Sequence, residues 1–519
     1  MTIDLPSKAT LASWRSGCRD PGDVFLHLWR SANKWGPANR DIMPPPPDDF
    51  IEAMRKAVAR DDGAVAVTEV LDLLTTIHPG RGAYEARSSF GGAALRAMAL
   101  IDDAFRITHP RTRTVAPSVG TARIPLWLKV AEARRLEDGE FGRHETLRLV
   151  PNGPFMRHGR HRTASSGNSL RDEFSCLTCA PLSGEQEGTR VEIDVEVVGT
   201  DVATGVPASR SIGRETLCFI PLAEDAEDLT FRSSKKGRST LLDVTPSRNL
   251  SGRLHEAARL NGDADLAIAP ELTLSHGDEQ AFSDLCTTDA ASLPRIMLAG
   301  TGLTDEVGPC GRPWNEGRVF NKVGRLLWRQ RKVWPYGMGR SAADAYRVDD
   351  PGPDALLMEN VAAGDMIKVV DLDGFGRCVI LICQDLEART IVEDVITHYQ
   401  PDWVLTPILD IGVGVGRWVH QRAFALSKLS QARLVVGSSL TLCVIKDPVD
   451  GTATPIGLAV GPLSVPPAEA TSENPEQARA FAVVRADGTS PKTAKLRWNY
   501  EEPVWSKTTM VSERDLKKR

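Results

Sequence analysis

The first 140 residues carry apolar side chains at the spacing of α-helices. Such residues recur every three or four positions, and the prolines from Pro44 to Pro47 form a stiff connector between two of the helical stretches. We therefore predict a mainly helical accessory region over residues 1–140. Its four helical stretches are VFLHLWRSANKW from Val24, FIEAMRKAVA from Phe50, AVAVTEVLDLLTTIH from Ala64 and AALRAMALIDDAFRI from Ala93.

Residues 141–212 show a different pattern, in which apolar and polar side chains alternate over short stretches. HETLRLVP and TRVEIDVEVVG have the two-residue period of antiparallel strands. A loop rich in Ser, Gly and Arg separates them. This part is therefore predicted to be a short β-rich connecting segment.

From residue 213 to residue 503, strands and helices alternate, as a layered α/β domain requires. The predicted strands include RETLCFIPLA, DLAIAPELTLS, PRIMLAGTGL, WVLTPI and RLVVGSSL, and ARTIVEDVITHYQPDW and RWVHQRAFALSKLSQA are predicted helices. The stretch WNEGRVFNKVGRLLWRQRK is predicted to form a hairpin around Gly324.

Four weaker patterns complete this domain. A long loop is expected from Tyr336 to about Glu359, and TLCVIKDPVDGTATP is expected to form a second hairpin. FAVVRADG is predicted to be the last strand. Residues 504–519 are expected to form a polar, exposed tail.

Composition and charge limit the classes of protein that fit. The chain has 519 residues, 25% of them charged and 41% hydrophobic, so it suits a folded protein of two to four domains. A net charge of −5 argues against a nucleic-acid partner. Neither a membrane-spanning run nor a signal peptide is visible, and the nine cysteines are scattered, so we expect a cytoplasmic protein with reduced thiols.

Four residues in the β-rich segment have the chemistry of zinc ligands. His158 and His161 form a His-x-x-His pair, and Cys176 and Cys179 form a Cys-x-x-Cys pair. The combined spacing matches no zinc pattern known to us. We favour a solvated basic loop followed by a chance pair of cysteines, and expect no metal.

Three residues stand where buried strands end. Cys383 ends the apolar run that begins at Arg377, Glu271 closes the strand in APEL, and Lys332 closes the hairpin. Taken singly, each suits a structural role: a core thiol, a turn carboxylate or a solvated cation. Together they supply a nucleophile, a base and a cation at strand ends, where catalytic sites are built.

The order Glu271, Lys332, Cys383 resembles the nitrilase superfamily of carbon–nitrogen hydrolases over roughly residues 213–500. WNEGRVFNKVGRLLWRQRK, DWVLTPI and WVHQRAFALSKLSQARLVVGSS agree with the family's pattern. The resemblance implies a four-layer α-β-β-α sandwich and a hydrolase for non-peptide C–N bonds. It also implies a small-molecule amide or nitrile substrate, no cofactor, and pairing into a homo-oligomer.

The same resemblance assigns roles to individual residues. Cys383 would be the nucleophile, Glu271 the general base, and Lys332 would stabilise the oxyanion together with the backbone N–H of Gln384. Many members have a second glutamate after the lysine. Glu359 is the candidate here, with a solvated loop charge as the alternative. The residues from Glu387 to Thr390 depart from the family pattern, which leaves the substrate contacts open.

Three other functions remain open on the sequence alone. Cys383 with His398 or His420 would make a cysteine–histidine hydrolase. The domain would alternatively be a regulatory or sensor module whose N-terminal region recruits a partner. An N-acyltransferase is a further alternative. We expect substrate choice to depend on the loop from Tyr336 to Glu359 and on the segment from Asp410 to Trp418.

Overall fold

The computed structural model describes most of the chain as a mixed α/β protein with several sheets. The described residues are 4–80, 84–110, 124–153, 169–198, 213–236, 239–247, 250–348, 355–372, 374–448, 454–462, 480–486, 490–499 and 504–507. Within these ranges, no helix is both long enough and apolar enough to cross a membrane.

The N-terminal region is helical, and its four predicted helices are present. Ser7, Asp20 and Asp62 each cap one helix. Their side-chain oxygens accept hydrogen bonds from backbone N–H groups of the first turn, which have no partner within the helix. The region has its own apolar core. Its helices are α1 Lys8–Gly17, α2 Pro21–Ala32, α3 Pro37–Asp41, α4 Asp48–Val58, α5 Gly63–Ile77, α6 Tyr84–Ala104 and α7 Leu126–Asp138.

The segment after α7 supplies strands to two sheets. β1 Gly142–His144, β2 Leu147–Pro151 and β3 Leu177–Pro181 form a small antiparallel sheet. β4 Ser183–Gln186 and β5 Thr189–Val198 form a hairpin, and β5 pairs in parallel with a strand near residue 370. The β-rich segment 141–212 therefore contributes directly to the sheet that carries Cys383.

That sheet has eight strands in the order β20-β19-β18-β17-β16-β15-β5-β4. β16 leads to Cys383, and its parallel neighbour β17 leads to Leu409, so both strand ends meet at one edge. The strands not yet given are β15 Met366–Leu372, β16 Gly376–Ile380, β17 Trp403–Ile408, β18 Arg433–Ser438, β19 Pro455–Val460 and β20 Phe481–Arg485.

A second sheet of seven strands carries Glu271 and Lys332, in the order β12-β11-β10-β9-β6-β21-β22. A four-stranded sheet, β13-β14-β8-β7, lies beside the site and carries Glu359. Their strands are β6 Thr216–Phe219, β7 Leu229–Lys236, β8 Ser239–Pro246, β9 Leu266–Ile268, β10 Ile296–Val307, β11 Pro313–Asn321, β12 Leu326–Arg331, β13 Gly337–Met338, β14 Leu357–Glu359, β21 Ala494–Asn499 and β22 Val504–Lys507.

The two large sheets share one apolar core. Ile268 and Leu298 of the seven-stranded sheet join it, and a Cβ atom added at Gly437 of β18 would lie 3.3 Å from Ile268. Met297, next to Leu298, instead joins the core beneath two helices, because alternate residues of a strand face opposite sides. The remaining helices are α8 Ser251–Arg259, α9 His276–Asp289, α10 Arg340–Ala345, α11 Arg389–Tyr399, α12 Trp418–Ser427 and α13 Thr441–Lys446.

Several local predictions are wrong. TLCVIKDPVDGTATP, predicted to be the second hairpin, begins with the helix α13 instead. Leu442 and Cys443 are buried there, and this packing outweighs the β-propensity of Val444 and Ile445. FAVVRADG is β20 but not the last strand, since β21 and β22 follow and β21 pairs with β6. The expected loop after Tyr336 contains β13, α10 and β14.

Candidate active site

Cys383 lies at the carboxyl end of the buried run that begins with β16, at the first position of a 3₁₀ turn, Cys383–Glu387. Its backbone has φ of +49°, a left-handed conformation that costs a non-glycine residue about 1–2 kcal/mol. Its side chain is 8% exposed. Strained conformations of this kind persist where the surrounding structure holds a functional residue in place.

Lys332 follows β12 and is only 1% exposed. Its backbone N–H donates to the carbonyl of Asn315 on the neighbouring strand, at 2.8 Å. Its Nζ atom lies 2.7 Å from Glu271 Oε1 and 2.6 Å from Glu359 Oε2. The ammonium is thus held between two buried carboxylates.

Glu271 lies in the tight turn after β9, and backbone groups fix its side chain. Its Oε2 accepts the Leu409 N–H at 3.1 Å, and the following residue, Leu272, has φ of +58°. The Cys383 thiol also contributes a hydrogen bond to the Glu271 carboxylate. The structure therefore brings together all three residues of the predicted set.

Glu359 ends β14 and completes the cluster. It is 4% exposed, and its Oε2 also accepts the Tyr336 N–H at 2.9 Å. The interpretation of Glu359 as a solvated loop charge is therefore wrong. The side chain reaches Lys332 because β14 pairs with β8 and β13, which brings the far end of the segment back to the site.

Burial and mutual charge set the protonation of this cluster. Burial raises the pKa of Cys383 well above its usual value, and the Glu271 carboxylate raises it further, while the Lys332 ammonium lowers it. Burial also raises the pKa of Glu271. Burial lowers the pKa of Lys332, but the two carboxylates outweigh it and raise that pKa overall. The thiol is therefore protonated at rest beside a fixed cation, so its reaction requires a base.

Sequence reasoning missed the structural role of Asp385. Its Oδ1 accepts the N–H groups of Val333 and Trp334, at 3.0 and 2.9 Å, and its Oδ2 accepts that of Ile382 at 3.0 Å. These bonds tie the backbone after Lys332 to the turn of Cys383. An acidic residue two positions after Cys383 is the local signal that could have indicated this role.

Asn315 and Thr301 were also missed as part of the site. Asn315 Nδ2 donates to Glu271 Oε1 at 2.9 Å and to Glu359 Oε1 at 3.4 Å. The Thr301 hydroxyl donates to Asn315 Oδ1. Asn315 lies in the hairpin stretch WNEGRVFNKVGRLLWRQRK. Its hydrogen-bond partners Thr301, Glu271 and Glu359 come from three other segments of the chain.

A pocket of about 760 Å³ opens onto the four catalytic candidates. Asp410 organises one wall, since it accepts bonds from Arg417, at 2.6 Å, and from the Trp418 indole, at 2.9 Å. Most of the other lining side chains are apolar or aromatic, including Phe231, Leu242, Val244, Tyr336, Met338, Tyr346, Leu409 and Ile411. The volume suits a small organic molecule.

The remaining candidates lie elsewhere or outside the described ranges. Gln384, the residue after Cys383, lines the pocket, whereas His398 and His420 are not among its described lining residues. His420 packs against Phe424, with ring centroids 4.7 Å apart. These positions offer no support for a cysteine–histidine pair.

The described residues give no support to a zinc site. His158 and His161 lie outside the described residues. Cys176 and Cys179 are buried beside or within β3. Across the described ranges, no group of three or more His, Cys, Asp or Glu side chains is arranged to bind a metal.

Comparison with known proteins finds matches among solved structures. No protein-family model and no curated protein matches the chain. Nit3 of Saccharomyces cerevisiae, a nitrilase-superfamily member, is 14% identical over 45% of this chain and 79% of its own, with a TM-score of 0.30. The NitFhit protein of C. elegans is 14% identical over 56% of this chain and 62% of its own, with a TM-score of 0.35.

A third solved structure is a variant of the Nesterenkonia AN1 amidase, also described as a nitrilase-superfamily protein. It is 13% identical over 57% of this chain and 94% of its own, with a TM-score of 0.32. Each of these matches covers only part of the present chain. Two of the three proteins belong by description to the family that the sequence resembles.

Proposed function

We propose that residues 213–503 form a cysteine-dependent, amidase-type hydrolase of the nitrilase superfamily that cleaves non-peptide carbon–nitrogen bonds. The observation that carries the proposal is the position of the Lys332 ammonium, held between Glu271 and Glu359 beside the Cys383 thiol at the wall of a pocket. The base Glu271, the cation Lys332 and the nucleophile Cys383 follow one another along the chain in the order of the family's motifs.

The proposed fold of this domain is a four-layer α-β-β-α sandwich. Two features support it. The two large sheets share one core, while α8 and α9 pack on the outer side of one sheet. Residues of α11 and α12 pack on the other sheet. In this proposed arrangement, the strand ends next to Glu271, Lys332 and Cys383 lie at one edge of the sandwich.

Glu271 acts as the base in the first half-reaction. It accepts the thiol proton as Cys383 Sγ attacks the amide carbon, and the carbonyl electron pair moves onto oxygen to give a tetrahedral intermediate. Lys332 and the Gln384 backbone N–H stabilise this oxyanion. Loss of one such donor in a comparable site costs about 3–4 kcal/mol.

The second half-reaction releases the acyl group. The oxyanion re-forms the carbonyl as the C–N bond breaks, and Glu271 returns its proton to the departing amine, leaving a thioester on Cys383. Glu271 then takes a proton from water, which attacks the thioester carbon. Collapse of the second intermediate releases the carboxylic acid and restores the thiol.

The test combines turnover with trapping of the intermediate. Purified protein is assayed against a panel of primary amides and nitriles, with Cys383→Ala as the inactive control. Wild-type protein quenched in acid during turnover is expected to show, by intact-mass spectrometry, an acyl adduct that maps to Cys383, whereas Glu271→Gln lacks the base for both half-reactions and should show none. Turnover that survives Cys383→Ala would disprove the mechanism.

A further inference from the structure

We propose that Asn315, oriented by Thr301, is a positioning residue that favours the ionised form of Glu271 and keeps Glu271 and Glu359 directed at Lys332. The inference rests on the proposed function, because it concerns how the base of that reaction is kept ready. Asn315 and Thr301 are both fully buried, so water cannot replace either of them.

The hydrogen bonds of Thr301 fix which way the Asn315 amide faces. The Thr301 hydroxyl oxygen accepts the Leu272 N–H at 3.0 Å, which leaves its own proton free to donate. That proton goes to Asn315 Oδ1. With Oδ1 bonded in this way, the amide nitrogen faces the two glutamates.

The oriented amide favours the charged form of Glu271 and holds the Glu359 carboxylate in place. Its two N–H groups reach Glu271 Oε1 and Glu359 Oε1, and a donated hydrogen bond stabilises an ionised acid more than a neutral one. A reversed amide would instead place its oxygen against two carboxylates. That arrangement would lose both donated bonds and set the amide oxygen against two acidic oxygens, so the carboxylates and the Thr301 proton together favour the observed orientation.

The backbone around Thr301 shows why it is held so firmly. β10 has a bulge between Leu298 and Thr301, with Gly300 at φ of +79°. The Thr301 backbone also bonds the turn of Glu271, with its N–H donating to Pro270 O at 3.1 Å and its carbonyl accepting from Thr273 at 2.8 Å. One residue therefore sets both the turn of the base and the orientation of the amide.

The charged and titratable groups that face this pair of carboxylates come from several elements. Lys332 and Cys383 are in direct contact with the cluster, while Tyr336, Asp385 and Asp410 act on it from further away. Asn315→Asp would place a third carboxylate next to one ammonium. A proton would then be retained on the cluster, and Glu271 would be a poorer base.

The experiment measures the reactivity of Cys383 toward iodoacetamide as a function of pH, by peptide mass spectrometry. This reaction needs no substrate, so it is readable even if no amide is turned over. The exposed Cys310 in the same sample serves as an internal reference for the reagent. In the wild type, the rate is expected to rise through an acidic limb that reports ionisation of Glu271.

In Asn315→Asp we expect that limb to move to higher pH by about one unit or more, since a neighbouring like charge raises a carboxyl pKa. The rate at neutral pH is expected to fall by up to about tenfold for each pH unit of that displacement, because the ionised fraction of the base falls in that proportion. Asn152→Asp is the matched control, because Asn152 is also buried but bonds Phe174 O, far along the chain from the site. It should leave the pH dependence of Cys383 unchanged.

Thr301 provides the second arm if Asn315→Asp fails to fold. Thr301→Val removes the hydroxyl, and with it both the bond donated to Asn315 Oδ1 and the bond accepted from the Leu272 N–H. The alkylation rate of Cys383 is expected to fall by about 10-fold or more. Thr301→Ser keeps the hydroxyl and should restore the wild-type rate. A wild-type pH profile in Asn315→Asp, or equal losses in the valine and serine variants, would overturn the inference. Failure of the proposed function would show differently, as an absence of amide and nitrile turnover in the wild type.

Discussion

Lys332 Nζ and Glu359 Oε2 lie 2.6 Å apart, although the intervening segment contains a strand, a helix and another strand. Lys332 has a second carboxylate partner, Glu271, on its other side. The site therefore holds one more buried negative charge than positive charge when both acids are ionised. This balance determines how the protein should respond to substitutions in the cluster.

Lys332→Met is expected to destabilise the protein by about 3–5 kcal/mol, because it leaves two buried carboxylates without their cation. The free energy of unfolding in urea measures this effect. Lys56→Met is the control, since the Lys56 side chain is 73% exposed where it pairs with Glu52 and should contribute less than about 1 kcal/mol. Equal effects of the two substitutions would contradict the buried position of Lys332.

A second buried ion cluster joins the N-terminal region to the strand of Cys383. Asp371 lies between Arg377, at 2.6 Å, and Arg135 of α7, at 3.4 Å. We expect Asp371→Asn to cost about 3–5 kcal/mol in urea unfolding, since both arginines lose a buried counter-charge. Glu69→Gln, in an exposed pair with Arg60, should change stability by less than about 1 kcal/mol. A similarly small loss in Asp371→Asn would mean that this cluster does not hold the two regions together.

Three residues of the candidate site could be selected from the sequence because each follows a buried strand. An apolar run that ends in a polar residue is a local signal, and Glu271, Lys332 and Cys383 all carry it. Cys383 lies in a different sheet from Glu271 and Lys332, so their proximity could be expected only because their order along the chain resembles that of a known family. The helices of the N-terminal region were predictable because their periodicity is local.

The features of the fold and site that the sequence did not predict depend on contacts between distant segments of the chain. The position of Glu359 requires β14 to pair with β8, and the role of Asn315 requires the register in which it lies opposite Leu303. β21 pairs with β6 from the opposite end of the domain, and α13 forms because burial outweighs local propensity. No pattern within a short window contains this information.

Gly302→Ala should disturb the turn of Glu271. A Cβ atom at Gly302 would lie 1.8 Å from the carbonyl oxygen of Leu274, so backbone must move to admit it. We expect a loss of about 1–3 kcal/mol, as for other overpacked sites, together with slower alkylation of Cys383. Gly252→Ala is the matched control, because nothing lies within 4 Å of its added Cβ in α8. That variant should gain about 0.5–1 kcal/mol, and a loss there equal to that of Gly302→Ala would disprove the steric argument.

Asp385 is expected to make stability depend on pH. Burial raises its pKa from 3.8 to about 7, although the bonded N–H groups and Lys332 oppose the shift. Between about pH 4 and pH 7, the folded protein therefore binds this proton more tightly than the unfolded chain does. Its contribution to the free energy of unfolding should fall as pH rises through that window, by up to about 1.4 kcal/mol per pH unit.

Asp385→Asn separates this contribution from those of the other buried acids. The asparagine oxygen can still accept the N–H groups of Val333 and Trp334, but the side chain no longer titrates. Urea unfolding at several values between pH 4 and pH 8 should show the wild type losing stability relative to the variant as pH rises, with the difference constant above about pH 7. A difference that is the same at every pH would mean that Asp385 is ionised throughout, and that its three N–H donors outweigh the effect of burial.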